Sequence, residues 1–216
     1  HEIKNPLTPI QLTIDRLKNK YSNQISKEDQ NNFKDNLKII NNQIKQIENL
    51  VNEFSDFARM PKPIFQDNDL TTLINESIKL LQELDTEIEI VFLNNLKKIV
   101  FNSDKEQLSR VFLNLIKNSI ESIIQRTEEN NDFKKKITIE LDDKSDHIIF
   151  TIVDNGVGFG EIKSDIKDIL NPYYTTKKNG TGLGLSIVNK IINDHNGNIE
   201  FISIDDGAKI KIIFSK

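Results

Sequence analysis

The sequence predicts an α+β fold in two parts: an N-terminal helical hairpin, then a larger domain in which helices alternate with strands. Three observations carry that expectation. Apolar residues recur at alternating spacings of 4 and 3 through residues 3–21 and again through 33–58. Arg59-Met60-Pro61-Lys62-Pro63 then interrupts the helical pattern. Beyond it, short runs rich in Ile, Val and Phe are bounded by polar turns, as in half-buried strands.

The first helix carries Ile3, Leu7, Ile10, Ile14, Leu17 and Tyr21, and the second Phe33, Leu37, Ile40, Ile44, Ile47, Val51, Phe54 and Ala58. These are narrow heptad seams, not the broader face of a globular helix. Residues 22–32 between them are polar, so the helices form an antiparallel hairpin. A hairpin hides such long seams poorly by itself, which predicts a dimeric four-helix bundle with a second copy. The alternative is packing on the chain's own C-terminal domain. With Leu7 at an a position, His1 falls at b and Asn5 at f, on the outward face. A neutral imidazole is a nucleophile, and the neighbouring carboxylate of Glu2 can hold its protonated nitrogen, so His1 is a candidate phosphoryl acceptor. The plainer alternative is a solvated surface histidine. Pro6 and Pro9 free carbonyls and bend the helix just after it. The two prolines at 61 and 63 stop the second helix and place a boundary there: 1–60 hairpin, 61–66 linker, 67–216 second domain.

In the second domain Asp69 or Thr71 can cap a helix reaching about residue 84, and residues 87–93 and 98–101 read as strands. Ser103-Asp104-Lys105-Glu106 has the form of a capping box and opens a helix to about residue 125. On it Leu108, Val111, Phe112, Leu115, Ile116 and Ile120 make the buried side. Asn114, Asn118 and Glu121 make a second stripe. Two amides one turn apart can offer carbonyl oxygens to a hard cation such as Mg²⁺, although two Asn in an Asn-rich chain are unremarkable alone. Residues 136–141 and 148–153 form a hairpin, as do 198–204 and 208–214. Between the hairpins a helix over 185–195 ends with Gly197 as its C-cap. His147 is read as an ordinary strand residue and His195 as a helix-end cation.

Two glycine-rich stretches carry the chemistry. Asp154-Asn155-Gly156-Val157-Gly158-Phe159-Gly160 follows a strand, and Gly180-Thr181-Gly182-Leu183-Gly184-Leu185 opens a helix. Glycines permit close backbone approach, and a helix N-terminus suits phosphate. The Asp154 carboxylate can accept from an exocyclic amine such as that of adenine. Between them, residues 159–180 have few apolar anchors and read as a lid, with Lys177 and Lys178 within reach of a terminal phosphate. Singly each motif is weak: Asp-Asn-Gly is usually a turn, and the spacings match neither the dinucleotide fingerprint nor the P-loop.

A net charge of −4 argues against a nucleic-acid binder. The absence of cysteine rules out disulfide and thiolate chemistry. No run approaches the ~20 apolar residues of a membrane helix. The chain starts at His and not Met, which reads as a fragment or a processed product, with the hairpin truncated at its start.

In order along the chain, these motifs resemble those of the catalytic portion of bacterial two-component sensor histidine kinases. His1-Glu2-Ile3-Lys4-Asn5-Pro6-Leu7-Thr8-Pro9-Ile10 looks like the H box, and Asn114-Leu115-Ile116-Lys117-Asn118-Ser119 like the N box. Asp154-Asn155-Gly156-Val157-Gly158 resembles the G1 box, Pro172-Tyr173-Tyr174-Thr175-Thr176-Lys177 the F box, and Gly180-Thr181-Gly182-Leu183-Gly184-Leu185 the G2 box. The Thr-Pro-Ile extension of the first is most like the nitrogen-regulation NtrY/NtrB branch. The resemblance implies a dimerising hairpin followed by the α/β sandwich of Hsp90, gyrase and histidine kinases. It implies ATP and Mg²⁺ as cofactors, and a response-regulator receiver domain and a second copy as partners. It places the chain in the cytoplasm, as part of a membrane-anchored parent. His1 would take the γ-phosphoryl group, Glu2 would act as base, and Asn5 would position water for dephosphorylating the regulator. Asn118, supported by Asn114, would hold Mg²⁺, and Asp154 would read adenine. Gly156, Gly158, Tyr174, Thr176, Lys177, Gly180, Thr181, Gly182, Leu183 and Gly184 would surround the nucleotide. Ser119 stands where Ala is common, Asn171 where Glu is common, and Glu121 where some branches carry Lys. Two other readings compete: a conformational ATPase using Glu121 to activate water, and a non-catalytic dimerisation scaffold.

Overall fold

The computed structural model describes residues 4–22, 24–26, 28–129, 132–159, 166–175, 177 and 180–216. The chain divides into two compact units: His1–Met60 with Thr175–Leu183, and Pro61–Tyr174 with Gly184–Lys216.

The first unit is built on helices α1 (Lys4–Tyr21) and α2 (Gln30–Ala58). Leu7, Ile14, Leu37 and Ile44 form its core, with Phe33 packed against them. These residues are the alternate members of each seam, one per heptad. The intervening Ile10, Leu17, Ile40, Ile47 and Phe54 remain exposed within the single chain, and so does Tyr21 at the end of α1. Pro9 sits inside α1 and brings no N–H to the ladder. Its own carbonyl accepts from Thr13 Oγ1 at 2.8 Å as well. Helix α2 starts three residues before the first apolar seam position, because Asp29 and Ser26 organise the preceding turn (Ser26 Oγ to Asp29 Oδ2, 2.7 Å).

The second unit runs β1 (Gln66–Asp69), α3 (Leu70–Leu81), a 3-10 turn (Gln82–Leu84), β2 (Glu89–Asn94), β3 (Val100–Ser103), α4 (Lys105–Glu129), β4 (Lys136–Asp143), β5 (His147–Asp154), a 3-10 turn (Ile166–Leu170), α5 (Gly184–Asp194), β6 (Gly197–Ser203) and β7 (Ala208–Ser215). A five-stranded sheet in the order β2-β4-β5-β7-β6 forms one layer, and β1 pairs with β3 in a separate ribbon. All pairs are antiparallel except β2–β4. Helices α4 and α5 form the second layer against the sheet, with α3 beside α4. The alternation in β4 and β5 puts Ile137, Ile139, Leu141, Ile148, Phe150 and Ile152 into the core opposite Leu108, Phe112, Leu115 and Ile116 of α4. Phe112 and Phe150 meet with ring centroids 5.0 Å apart. This is the α+β sandwich that the sequence predicts.

Four local expectations change. Strand β1 lies partly inside the expected linker: Gln66-Asp67-Asn68-Asp69 has no apolar residue, and pairing with β3, not hydrophobic alternation, makes it a strand. The cap of α4 is Asp104, not Ser103: Asp104 Oδ1 accepts from Gln107 N at 2.9 Å, while Ser103 is the buried last residue of β3. The left-handed residue after α5 is Asn196 (φ 54), and Gly197 instead begins β6. Its glycine is needed because a Cβ there would sit 2.9 Å from Ile192 Cγ2 and 3.1 Å from the Ile213 carbonyl. His195 is no exposed cation: it is 2% exposed, with Nδ1 bonded to the Ile191 carbonyl at 2.8 Å and Nε2 accepting from Asp104 N at 3.0 Å.

Candidate nucleotide site

The site in the second unit is built where β5 ends beneath α4. Strand β5 delivers Asp154 into the interior, 6% exposed, opposite Ile137 of β4 and Ala208 of β7. Asp154 Oδ1 accepts from the backbone N–H of Gly156 at 3.0 Å, and Oδ2 accepts from Ser119 Oγ on α4 at 2.9 Å. Burial pushes the carboxyl up from its usual range, and the Gly156 N–H and Ser119 hydroxyl oppose that by bonding to the charged form. Ser122, one turn along α4, faces the same carboxylate, but its buried hydroxyl makes no hydrogen bond of good geometry among the described residues. Such an orphaned donor beside a buried acceptor fits the polar edge of a base, which supplies both functions.

The loop after Asp154 is locked to α4. Val157 N donates to the Ser122 carbonyl at 3.3 Å. A Cβ at position 156 would stand 2.2 Å from Ser122 Oγ and 2.5 Å from its backbone carbon, so Gly156 is a matter of space. Gly158 is different: its φ of 69° needs glycine, and its Cα side faces the Gly207 carbonyl. Asn155 Oδ1 and Nδ2 bond Lys136 N (2.9 Å) and the Lys134 carbonyl (2.6 Å), closing the loop onto the start of β4. Arg126 reaches from α4 to the Asn155 carbonyl at 2.7 Å and to Asp206. A cavity of about 400 Å³ opens here, lined by residues 156–159, the β6–β7 turn and Arg126.

Further along, Asn114 donates Nδ2 to the Arg110 carbonyl at 2.9 Å, which leaves its oxygen facing outward from that bond. That oxygen lies against Gly184, the first residue of α5, 3.3 Å from where a Cβ would stand. Asn114 and the phosphate-suited N-terminus of α5 are therefore neighbours, although 70 residues separate them in sequence. Among the described residues no group of three or more His, Cys, Asp and Glu could hold a metal. A cation here would take amide oxygens plus the oxygens of a bound polyphosphate, the arrangement Mg²⁺ favours. Glu121 is engaged with Lys117 at 3.8 Å.

The remaining expected site residues have local geometry only. Tyr174 N donates to the Asn171 carbonyl at 3.2 Å, and Tyr173 before it has a φ of 70°. Lys177, Gly180, Thr181, Gly182 and Leu183 belong to the helical unit. There Gly180 N bonds the Lys177 carbonyl at 3.1 Å, Gly182 has a φ of 70°, and Thr181 Oγ1 bonds Glu53 of α2. His1, Glu2, Thr176 and Lys178 lie outside the described residues, and so does the side chain of Asn5. Sequence reading noted Ser119 only as a swap, and it missed Ser122, Ala208 and Gly207. Spacing from Asn118 could have placed both serines on α4, but nothing local links either to a residue beyond position 150.

Residues 103–216 match the family model described as histidine kinase-, DNA gyrase B-, and HSP90-like ATPase, and residues 1–63 match the His Kinase A (phospho-acceptor) domain. An NtrY-like sensor histidine kinase of Rickettsia prowazekii is 37% identical over 215 residues, covering 99% of this chain and 34% of that protein. The nitrogen regulation protein NtrY of Azorhizobium caulinodans is 34% identical over 208 residues, covering 96% of this chain and 26% of that one. The chain thus spans about a third of the length of the curated relatives it matches. Among solved structures, the catalytic domain of the histidine kinase ThkA aligns with a TM-score of 0.61 at 28% identity, over 71% of this chain and 96% of that one. ThkA in complex with the response regulator protein TrrA aligns with a TM-score of 0.69 at 25% identity, over 100% of this chain and 59% of that one.

Proposed function

Because the chain belongs to the histidine kinase-, DNA gyrase B- and HSP90-like ATPase family, with a phospho-acceptor domain before it, we propose that it is the core of a protein-histidine kinase of two-component signalling. The observation that carries the reading is the buried Asp154 carboxylate, gripped by α4 and the following glycine loop, in a chain whose first residues match a phospho-acceptor domain.

ATP binds in the second unit, with Asp154 accepting from the amine of adenine and Gly156 and Gly158 letting the loop close on the base. Asn118 and Asn114 would hold Mg²⁺, which would supply charge neutralisation on the phosphates. The N-terminus of α5 at Gly184 suits the phosphates, and Tyr174, Thr176, Lys177, Gly180, Thr181, Gly182 and Leu183 are further nucleotide-binding residues. In the transfer, an unprotonated imidazole nitrogen of His1 forms a bond to the γ-phosphorus as the bond to the β,γ-bridging oxygen breaks. ADP leaves, and the Glu2 carboxylate takes the imidazole proton. The phosphoramidate then passes its phosphoryl group to an Asp carboxylate of a receiver domain, a partner class represented by TrrA in the ThkA complex. Asn5 orients water for the reverse duty, removing that phosphate. A second copy covers the seam residues Ile10, Leu17, Ile40, Ile47 and Phe54, completing a four-helix bundle. Among the described residues no helix is long and apolar enough to cross a membrane. We place the chain on the cytoplasmic side of a membrane-anchored parent, where ATP and receiver domains are found.

The conformational-ATPase reading depends on Glu121 as the base, and the phospho-acceptor domain matched by residues 1–63 argues against it. The test is incubation with γ-labelled ATP and Mg²⁺, using this chain and a version extended upstream of His1. Acid-labile, alkali-stable label is expected, and it should vanish in His1→Gln while nucleotide binding persists. Label retained in His1→Gln refutes the assignment.

A further inference from the structure

One contact in the site is unexplained by the roles above. Ser119 is 2% exposed on α4, directly after Asn118, and its hydroxyl lies 2.9 Å from Asp154 Oδ2. An ionised carboxylate only accepts, so the serine proton is committed to it. Oδ1 is already held by Gly156 N–H at 3.0 Å. With both oxygens fixed from different elements, the carboxylate plane is set before any ligand arrives. We propose that Ser119 is a positioning residue for base recognition, holding the Asp154 carboxylate in the orientation that accepts from an exocyclic amine.

This rests on the reading of Asp154 as the base-recognising group. The groups that face Asp154 are Ser119 and Ser122 of α4, the Gly156 N–H of its own loop, and the Ala208 backbone of β7. None of them carries charge. Burial raises the Asp154 carboxyl, and the Ser119 bond works against burial. Removing the hydroxyl therefore lets the carboxyl protonate at higher pH. Two opposite pH trends follow. Affinity for an adenine nucleotide needs the carboxylate and is lost as pH falls through the folded-state value. Stability of the nucleotide-free protein runs the other way. The contribution from a raised carboxyl is fully present below the unfolded value of about 3.9 and is lost as pH rises through the folded one.

The experiment titrates Mg-ATP and Mg-GTP onto the whole chain by calorimetry between pH 5 and pH 8, for the parent, Ser119→Ala, Ser119→Cys and Asp154→Asn. Thermal melts of each nucleotide-free protein accompany the titrations. Loss of a hydrogen bond to a charged group should weaken ATP about tenfold in Ser119→Ala at neutral pH. Its decline on acidification should begin at higher pH than in the parent. GTP affinity should not change, so discrimination between the two nucleotides narrows. Ser119→Cys, which keeps the size but is a poorer donor, should fall between, and it decides the question should Ser119→Ala not fold. Folded Ser119 variants with the parent's ATP affinity and pH profile overturn the proposal. If Asp154→Asn weakens ATP in that case, base recognition by Asp154 stands and only the serine's role fails. If Asp154→Asn also binds ATP like the parent, the base-recognition reading fails first.

Discussion

Substituting Gly207 by Ala tests whether the nucleotide loop is supported from a distant turn. Gly207 ends the tight β6–β7 turn with a φ of 106°, a region where L side chains are strained. A Cβ there would lie 1.8 Å from the carbonyl oxygen of Asp154 and 2.7 Å from Asn155 Cα. Both obstacles are backbone, so no side chain can swing aside. Left-handed strain of about 1–2 kcal/mol and overpacking of about 1–3 kcal/mol sum to roughly 2–5 kcal/mol. That is a large part of a typical stability of about 5–15 kcal/mol. For a unit of this size each kcal/mol moves the midpoint by about 2–4 °C, so the melting temperature should fall by roughly 4–20 °C. The neighbours supply the controls. Asp205 is exposed and its replacement by Ala should be neutral. Asp206→Ala removes an ion pair to Arg126 whose carboxylate is 65% exposed, a loss of under about 1 kcal/mol. Scanning calorimetry of the three variants checks the order. A Gly207→Ala protein melting within about 2 °C of the parent refutes the steric argument.

Two further outcomes follow from packing and hydrogen bonding. His195→Phe should destabilise the second unit by about 1–3 kcal/mol in urea unfolding, because it orphans the Asp104 N–H while nearly conserving volume; the Ile191 carbonyl loses the imidazole but keeps the backbone N–H of residue 195. Ile44→Ala, in the four-residue core of the hairpin, should lower stability by about 2–5 kcal/mol, whereas Ile39→Ala, at a position 57% exposed, should be near neutral by helical circular dichroism.

Much of the fold was legible because periodicity survives tertiary assembly. The 4-3 seams marked both hairpin helices, and the alternation in residues 136–141 and 148–153 marked β4 and β5. Asp69 capped its helix as expected, accepting from Thr71 N at 3.1 Å. Two of the places where reading failed share one cause. β1 and the burial of His195 depend on partners 30 to 90 residues away, and local composition carries no signal of them; the α4 cap is local, and it moved one residue because β3 keeps Ser103 while Asp104 bonds Gln107 N.

The candidate site divides in the same way. The residue types and their order along the chain, Asn114 and Asn118, then Asp154 with its glycines, then Gly180 to Gly184, were readable in the sequence itself, as types suited to a base and to phosphates. Tertiary structure alone decided that Ser119 would hold Asp154, that Gly207 would abut the same residue, and that Asn114 would face the first turn of α5. Those relations come from strand register and helix packing, which bring residues tens of positions apart into contact. Composition and spacing describe a chain's neighbours along itself, and these contacts lie across it.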